Sequence, residues 1–192
     1  MARITDQTKI ERLKQSTMKL VVDRGFGGAS AALIAKDAQV ASGYFYMHYK
    51  GKYEMVNAIL QEVYAEVFGM FEKLIGQELP FLKTIEELVR HFVNVANHEP
   101  IKVKFLYVLT NDYNFIIEEQ IHKNTLKLIE RLIKMGREKG ELDKTLNVED
   151  LYLVLIITTI QFINQKYKYS NQEIISEQDV LHLLKLIFKF LK

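Results

Sequence analysis

Residues 42–52 read SGYFYMHYKGK, and nearly every polar side chain in that run ends in a group that can hydrogen-bond an oxyanion or the edge of a base. The hydroxyls of Ser42, Tyr44 and Tyr46, the His48 imidazole and the ammonium groups of Lys50 and Lys52 suit contact with phosphates and base edges, while Ala41 and Gly43 leave room for a close approach. Other chemistries leave no signature. The five histidines (His48, His91, His98, His122 and His182) are scattered and form no HExxH pair, and there is no GxxxxGK(S/T) or GxGxxG loop. With no cysteine, thiolate ligands, cysteine nucleophiles and disulfides are excluded. His98 and Glu99 are adjacent but sit at a predicted helix end, where capping is the simpler reading. Neither an enzyme nor a metal or cofactor site is expected.

The elements that must position these groups are helical. In 192 residues the chain has two prolines, nine glycines and 48% hydrophobic content, enough for a packed core and favourable to long helices, so an all-α fold is expected. A first helix is predicted over 5–24 with Ile10, Leu13, Thr17, Leu20 and Val21 on one face, stopped by Gly25. Ser30 is a natural N-cap for a short helix over 31–38 that turns Leu33, Ile34 and Ala38 toward a core. After a turn at 39–41, a third short helix over 42–48 puts Phe45 and Tyr49 on one face and Tyr44 and His48 on another, with Tyr46 between them. Two short helices joined by a tight turn are the layout of a helix-turn-helix. Further helices are predicted over 51–75, 84–97, 101–110, 115–139, 147–168 and from Ser176 onward, about nine in all.

Charge agrees with that layout. Residues 1–54 carry nine Lys/Arg against five Asp/Glu, a net +4 in a chain whose total is only +2, so a basic N-terminal module precedes a slightly acidic body. The charged N-terminus is unlike a secretory leader, and the longest apolar run, 151–163, is too short to span a membrane and reads as a buried helix. A cytoplasmic protein with no membrane partner is expected.

From Ile10 to Met55 the ordered features resemble the DNA-binding domain of the TetR family of bacterial transcriptional regulators. These are a first helix ending in Arg24-Gly25-Phe26, a Ser30-capped helix containing Leu33-Ile34-Ala35, then Ala38-Gln39-Val40-Ala41-Ser42-Gly43-Tyr44-Phe45-Tyr46, and His48-Tyr49-Lys50-Gly51-Lys52 opening the next helix. The sequence departs from the family pattern at Gln39, where glycine is usual in the turn, at Tyr49, where phenylalanine is usual, and at Tyr53, where an acidic residue is frequent. The resemblance implies a helix-turn-helix DNA-binding domain over 1–50 and a larger helical ligand-binding and dimerisation domain over 51–192. Its function would be that of a sequence-specific regulator, a repressor released from its operator by a small molecule.

On that reading Ala41, Ser42, Gly43 and Tyr44 begin the recognition helix. Tyr46 and His48 face a phosphate strand, Lys50 and Lys52 supply charge, and Ser30 and Arg3 give further phosphate contacts. Ser30 as a plain N-cap and His48 as a C-terminal cap are the competing readings. Dimerisation through the last two helices would place two heads on a palindromic operator in double-stranded DNA. The implied effector pocket draws on Phe68, Phe71, His91, Phe105, Tyr107, Tyr113, Phe115 and Phe162, a mixture of aromatic walls and polar tips. The alternative is a helical protein-interaction module, or a carrier of hydrophobic ligands, that does not bind DNA.

Overall fold

The computed structural model describes residues 6–142, 145–169 and 174–191. Every regular element among them is helical: α1 (Gln7–Gly28), α2 (Ala31–Asp37), α3 (Ser42–His48), α4 (Lys52–Ile75), α5 (Phe81–His98), α6 (Pro100–Asn111), α7 (Glu119–Glu138), α8 (Val148–Tyr152), α9 (Thr158–Tyr169) and α10 (Glu177–Leu191). A π-helical turn, Leu153–Ile157, joins α8 to α9 without a break, so the described residues form nine separate rods. In that turn the Thr158 hydroxyl donates to the Leu153 carbonyl five residues back, at 3.0 Å. None of these helices is long and apolar enough to cross a membrane.

The ends follow local chemistry. The Asp6 carboxylate accepts the Lys9 N–H to start α1, and Gly25 interrupts that helix with φ 71°, leaving one further turn to Gly28. Asn147 and Asp150 form a reciprocal capping box at α8, and Ser176 and Asp179 do the same at α10. Two predicted starts move. Helix α5 begins at Phe81 rather than at 84, because Pro80 occupies the N-cap, where a missing N–H costs nothing. Helix α7 begins at Glu119 rather than at 115, and Phe115 instead packs its ring 4.9 Å from that of Phe26.

The chain divides into two compact units, the first comprising the residues up to Val63 together with Lys104–Ile117, the second Tyr64–Val103 and the residues from Glu118 on. In the first, α1 buries Ile10, Leu13, Thr17, Leu20 and Val21, the face read from the sequence, and α2 contributes Ile34 and Ala35. In the second, α5 buries Phe81, Ile85, Leu88, Val89, Phe92 and Val93 in one core with Leu183, Leu184, Ile187 and Leu191 of α10. That core also takes Ile129, Leu132 and Ile133 from α7 and Leu151, Leu155 and Ile163 from the 148–169 rod. Gly136 lies where α7 meets this packing, and a Cβ there would stand 2.9 Å from the Leu142 Cβ and 3.0 Å from the Phe81 ring. Gly136→Ala is therefore expected to overpack the second unit and cost about 1–3 kcal/mol, read as a lower urea midpoint. An unchanged midpoint would contradict this packing.

Candidate nucleic-acid interface

Seven residues cannot hold a helix by themselves, and α3 is held by one side chain. Phe45 is fully buried, with Tyr46 edge-on at 5.5 Å and Tyr49 at 5.8 Å between ring centroids. The turn before it places Gln39 at φ 55°, the left-handed conformation that glycine usually supplies, at a cost of roughly 1–2 kcal/mol. In return the Val40 N–H reaches the Ala35 carbonyl at 2.9 Å, closing the end of α2. Ser30 caps α2 as expected: its hydroxyl oxygen accepts the Leu33 N–H.

With Phe45 turned inward, the opposite face of α3 is free. Ala41, Ser42, Gly43, Tyr46, Met47 and Lys50 are all exposed, Tyr46 at 59% and Met47 at 50%. A Cβ on Gly43 would meet nothing within 4 Å among the described residues, so no packing among them requires glycine there. Gly43, Tyr46 and Met47 share one face by their three- and four-residue spacing.

Two expected contacts find internal partners. Tyr44 is half-buried, its hydroxyl donates to the Asp6 carbonyl at 3.2 Å, and its ring lies 4.6 Å from the His48 ring. Tyr44 thereby ties α3 to the start of α1. The Lys52 ammonium donates to the carbonyls of Phe26 at 2.5 Å and Ala29 at 2.8 Å and sits 4.3 Å from the Phe26 ring centroid. It thereby clamps the start of α4 onto the tail of α1. The Asp112 carboxylate accepts the Phe26 N–H at 3.0 Å, and the Tyr53 hydroxyl donates to the Ile116 carbonyl at 3.0 Å, so the 112–116 loop joins the same cluster. Hydrogen bonds from the Asn114 and Phe26 backbone hold the Asp112 carboxyl below the usual range.

Pairing decides which cations remain available. Lys9 pairs with Asp6 at 3.0 Å, Lys14 with Glu62 at 2.6 Å and Lys19 with Asp37 at 2.9 Å. The hydrogen bond to Asp37 raises the Lys19 pKa; for Lys14, burial pulls downward but the bond and charge of Glu62 outweigh it. Among the described residues Lys36 and Lys50 are exposed, and their side chains make no ion pair. The Glu54 carboxylate accepts the Lys50 backbone N–H, which places an anion of the protein's own at the start of α4. Arg3 lies outside the described residues.

The residues expected to line an effector pocket are drawn from both units. Phe105, Tyr107, Tyr113 and Phe115 belong to the first unit, with Tyr113 fully exposed, whereas Phe68, Phe71, His91 and Phe162 belong to the second. Phe71 is core there, and Phe162 lies 6.0 Å from the His182 ring. His91 has a buried Nε2 with no hydrogen-bond partner among the described residues, and burial holds its pKa below the usual range.

Sequence comparison falls on the same helices. Residues 15–59, from within α1 to within α4, match the tetR family of bacterial regulatory proteins. A curated relative, the HTH-type transcriptional regulator YvdT of Bacillus subtilis (strain 168), is 21% identical over 140 residues, covering 72% of each chain. Solved structures extend the likeness over nearly the whole length. A TetR family transcription regulator from Marinobacter aquaeolei VT8 superposes with a TM-score of 0.78 at 15% identity, covering 96% of both chains. FadR from Bacillus subtilis, solved in complex with stearoyl-CoA, superposes with a TM-score of 0.74 at 16% identity, covering 94% of this chain and 96% of its own. Residues 15–59 thus match the tetR family model, and the fold is the one that solved TetR-family regulators share.

Within the first unit, sequence reasoning missed the exposure of Met47 and Lys36 and the tie that Asp112 makes. Met47 was findable from its four-residue spacing to Gly43, but an apolar residue in a short helix reads as core. The Asp112 bond joins residues 86 apart and has no local signal. Lys52→Met keeps the aliphatic stem and removes the donors, leaving the Phe26 and Ala29 carbonyls unpaired, and is expected to lower stability by about 1–3 kcal/mol in urea unfolding. Wild-type stability in that variant would contradict the clamp.

Proposed function

We propose that this TetR-family chain is a sequence-specific DNA-binding transcriptional regulator, a repressor whose operator affinity falls when a small molecule binds its helical body. The observation that carries the reading is the outward face of α3. Ser42, Gly43, Tyr46 and Met47 project from a helix whose other side is fixed by Phe45, and Lys36 and Lys50 in the same unit are exposed and make no ion pair among the described residues. The DNA-reading domain is taken as 1–50 and the ligand-binding and dimerisation domain as 51–192. Ser42 contacts a base edge, Lys50 a phosphate, and Gly43 admits the DNA close to the backbone. Ser30 retains a hydroxyl proton for a phosphate while serving as a cap.

Two heads on one operator require a dimer. Leu181, Leu186 and Phe190 are exposed on α10 although that helix already buries five other apolar residues, and Leu153 is exposed on the rod before it. A pairing of these last two helices between copies would cover them, and a twofold pair reads a palindrome. For the effector, the support is the aromatic and aliphatic body with the unpartnered His91 Nε2 inside it, together with the stearoyl-CoA bound by FadR. Both favour a largely apolar ligand with a polar end.

Selection of bound sequences from a random duplex pool tests this reading, with a palindromic site as the expected result. Absence of any enriched sequence would instead support a helical interaction module or hydrophobe carrier. On the enriched site, Gly43→Leu is expected to fold with at least wild-type stability, since a helix gains from losing glycine, yet to lose operator affinity by about tenfold or more. Equal affinity in that variant would show that DNA does not approach Gly43.

A further inference from the structure

The chemistry of the exposed α3 face limits what it can read. In the major groove guanine offers two acceptors, best met by Arg or Lys; adenine is met by Asn or Gln, and the cytosine amino group by Asp or Glu. Residues 41–49 contain none of these six types. The tyrosine that might have read from the start of the helix has its hydroxyl on the Asp6 carbonyl. What remains outward is the Ser42 hydroxyl, the open backbone at Gly43, the Tyr46 ring and the Met47 thioether, the last two about half exposed or more. An unbranched, polarizable thioether has no hydrogen bond to give a base, but it packs well on a small apolar group. Thymine is the base that presents one, its C5 methyl, in the major groove.

We infer that Met47, with Tyr46, is the specificity-determining contact of this protein and that it reads thymine C5-methyl groups, so that each operator half-site is selected for methyls rather than for guanine acceptors. The inference rests on the DNA-reading function proposed above and adds the chemical class of the sequence read. Its geometry follows from the shared face. Gly43, one turn before Met47, leaves open space, so the groove wall approaches closely enough for the thioether to reach the methyl edge. Lys36 and Lys50, exposed and without carboxylate partners among the described residues, hold phosphates and set register without contributing to base choice. Discrimination then comes from burial of methyl groups, each worth about a fourfold change in affinity, and not from bidentate hydrogen bonds.

The test replaces thymine by deoxyuridine, which removes the C5 methyl and nothing else, one position at a time in the selected operator. With the wild-type protein, at least one uracil position per half-site is expected to weaken binding by about fourfold, and with Met47→Ala that position is expected to bind thymine and uracil equally. Binding that is indifferent to uracil everywhere, or a uracil penalty that persists undiminished in Met47→Ala, would overturn the inference while leaving DNA reading intact. Failure to enrich any sequence at all would overturn both.

Discussion

The burial of one ring, Phe45, is the interaction on which the exposed face of α3 depends. Helix α3 is seven residues long and has no other buried side chain. An isolated helix of that length does not persist in water, so its position and rotation are inherited from where Phe45 sits. Rotating α3 about that anchor would move Gly43, Tyr46 and Met47 together. The neighbouring constraints all resist such a rotation: Gln39 in a left-handed turn fixes the direction of entry, Tyr44 ties the helix to Asp6, and Lys52 fastens the start of the next helix to the tail of α1. The left-handed turn costs roughly 1–2 kcal/mol, and burying a phenylalanine ring returns a comparable 1.5–3 kcal/mol. A departure from glycine at position 39 is therefore affordable within this head.

Local chemistry was readable and long-range chemistry was not. Ser30, Asn147 and Ser176 begin helices through groups three residues away, and Gly25 interrupts α1 by its own φ, three residues before the helix ends. The start of α7 was misplaced because Phe115, Ile116 and Ile117 prolong a helical apolar pattern, while Phe115 is claimed by Phe26 and Tyr53. The same distinction runs through the site. Spacing alone put Phe45 on a different face from Tyr44 and His48 and left Tyr46 between them, and the structure turns Phe45 inward and leaves Tyr46 exposed. It did not reveal that Lys52 and Tyr44 reach partners 26 and 38 residues away, since a long or hydroxyl-tipped side chain takes whichever acceptor the tertiary fold presents. Met47 carried no signal of its own, and its apolar side chain stands half exposed.

Charge shows the same effect of pairing. The +4 of residues 1–54 suggests a broadly attractive head, but Lys9, Lys14 and Lys19 are held by carboxylates and Lys52 by carbonyls. Fewer cations than the sequence count are therefore available to a phosphate, and attraction of this unit for a polyanion is weaker than the count suggests.

Oxidation of methionine with and without DNA tests most directly whether the face opposite Phe45 is the surface that meets the operator. Met47 is half exposed, whereas Met18 and Met55 are buried at 3% and 0% and serve as internal controls. Under dilute peroxide followed by peptide mass analysis, Met47 is expected to form sulfoxide readily in the free protein and to be strongly protected by the selected operator, with Met18 and Met55 slow in both states. Equal oxidation of Met47 in the free and DNA-saturated protein would contradict the assignment of α3 as the reading helix.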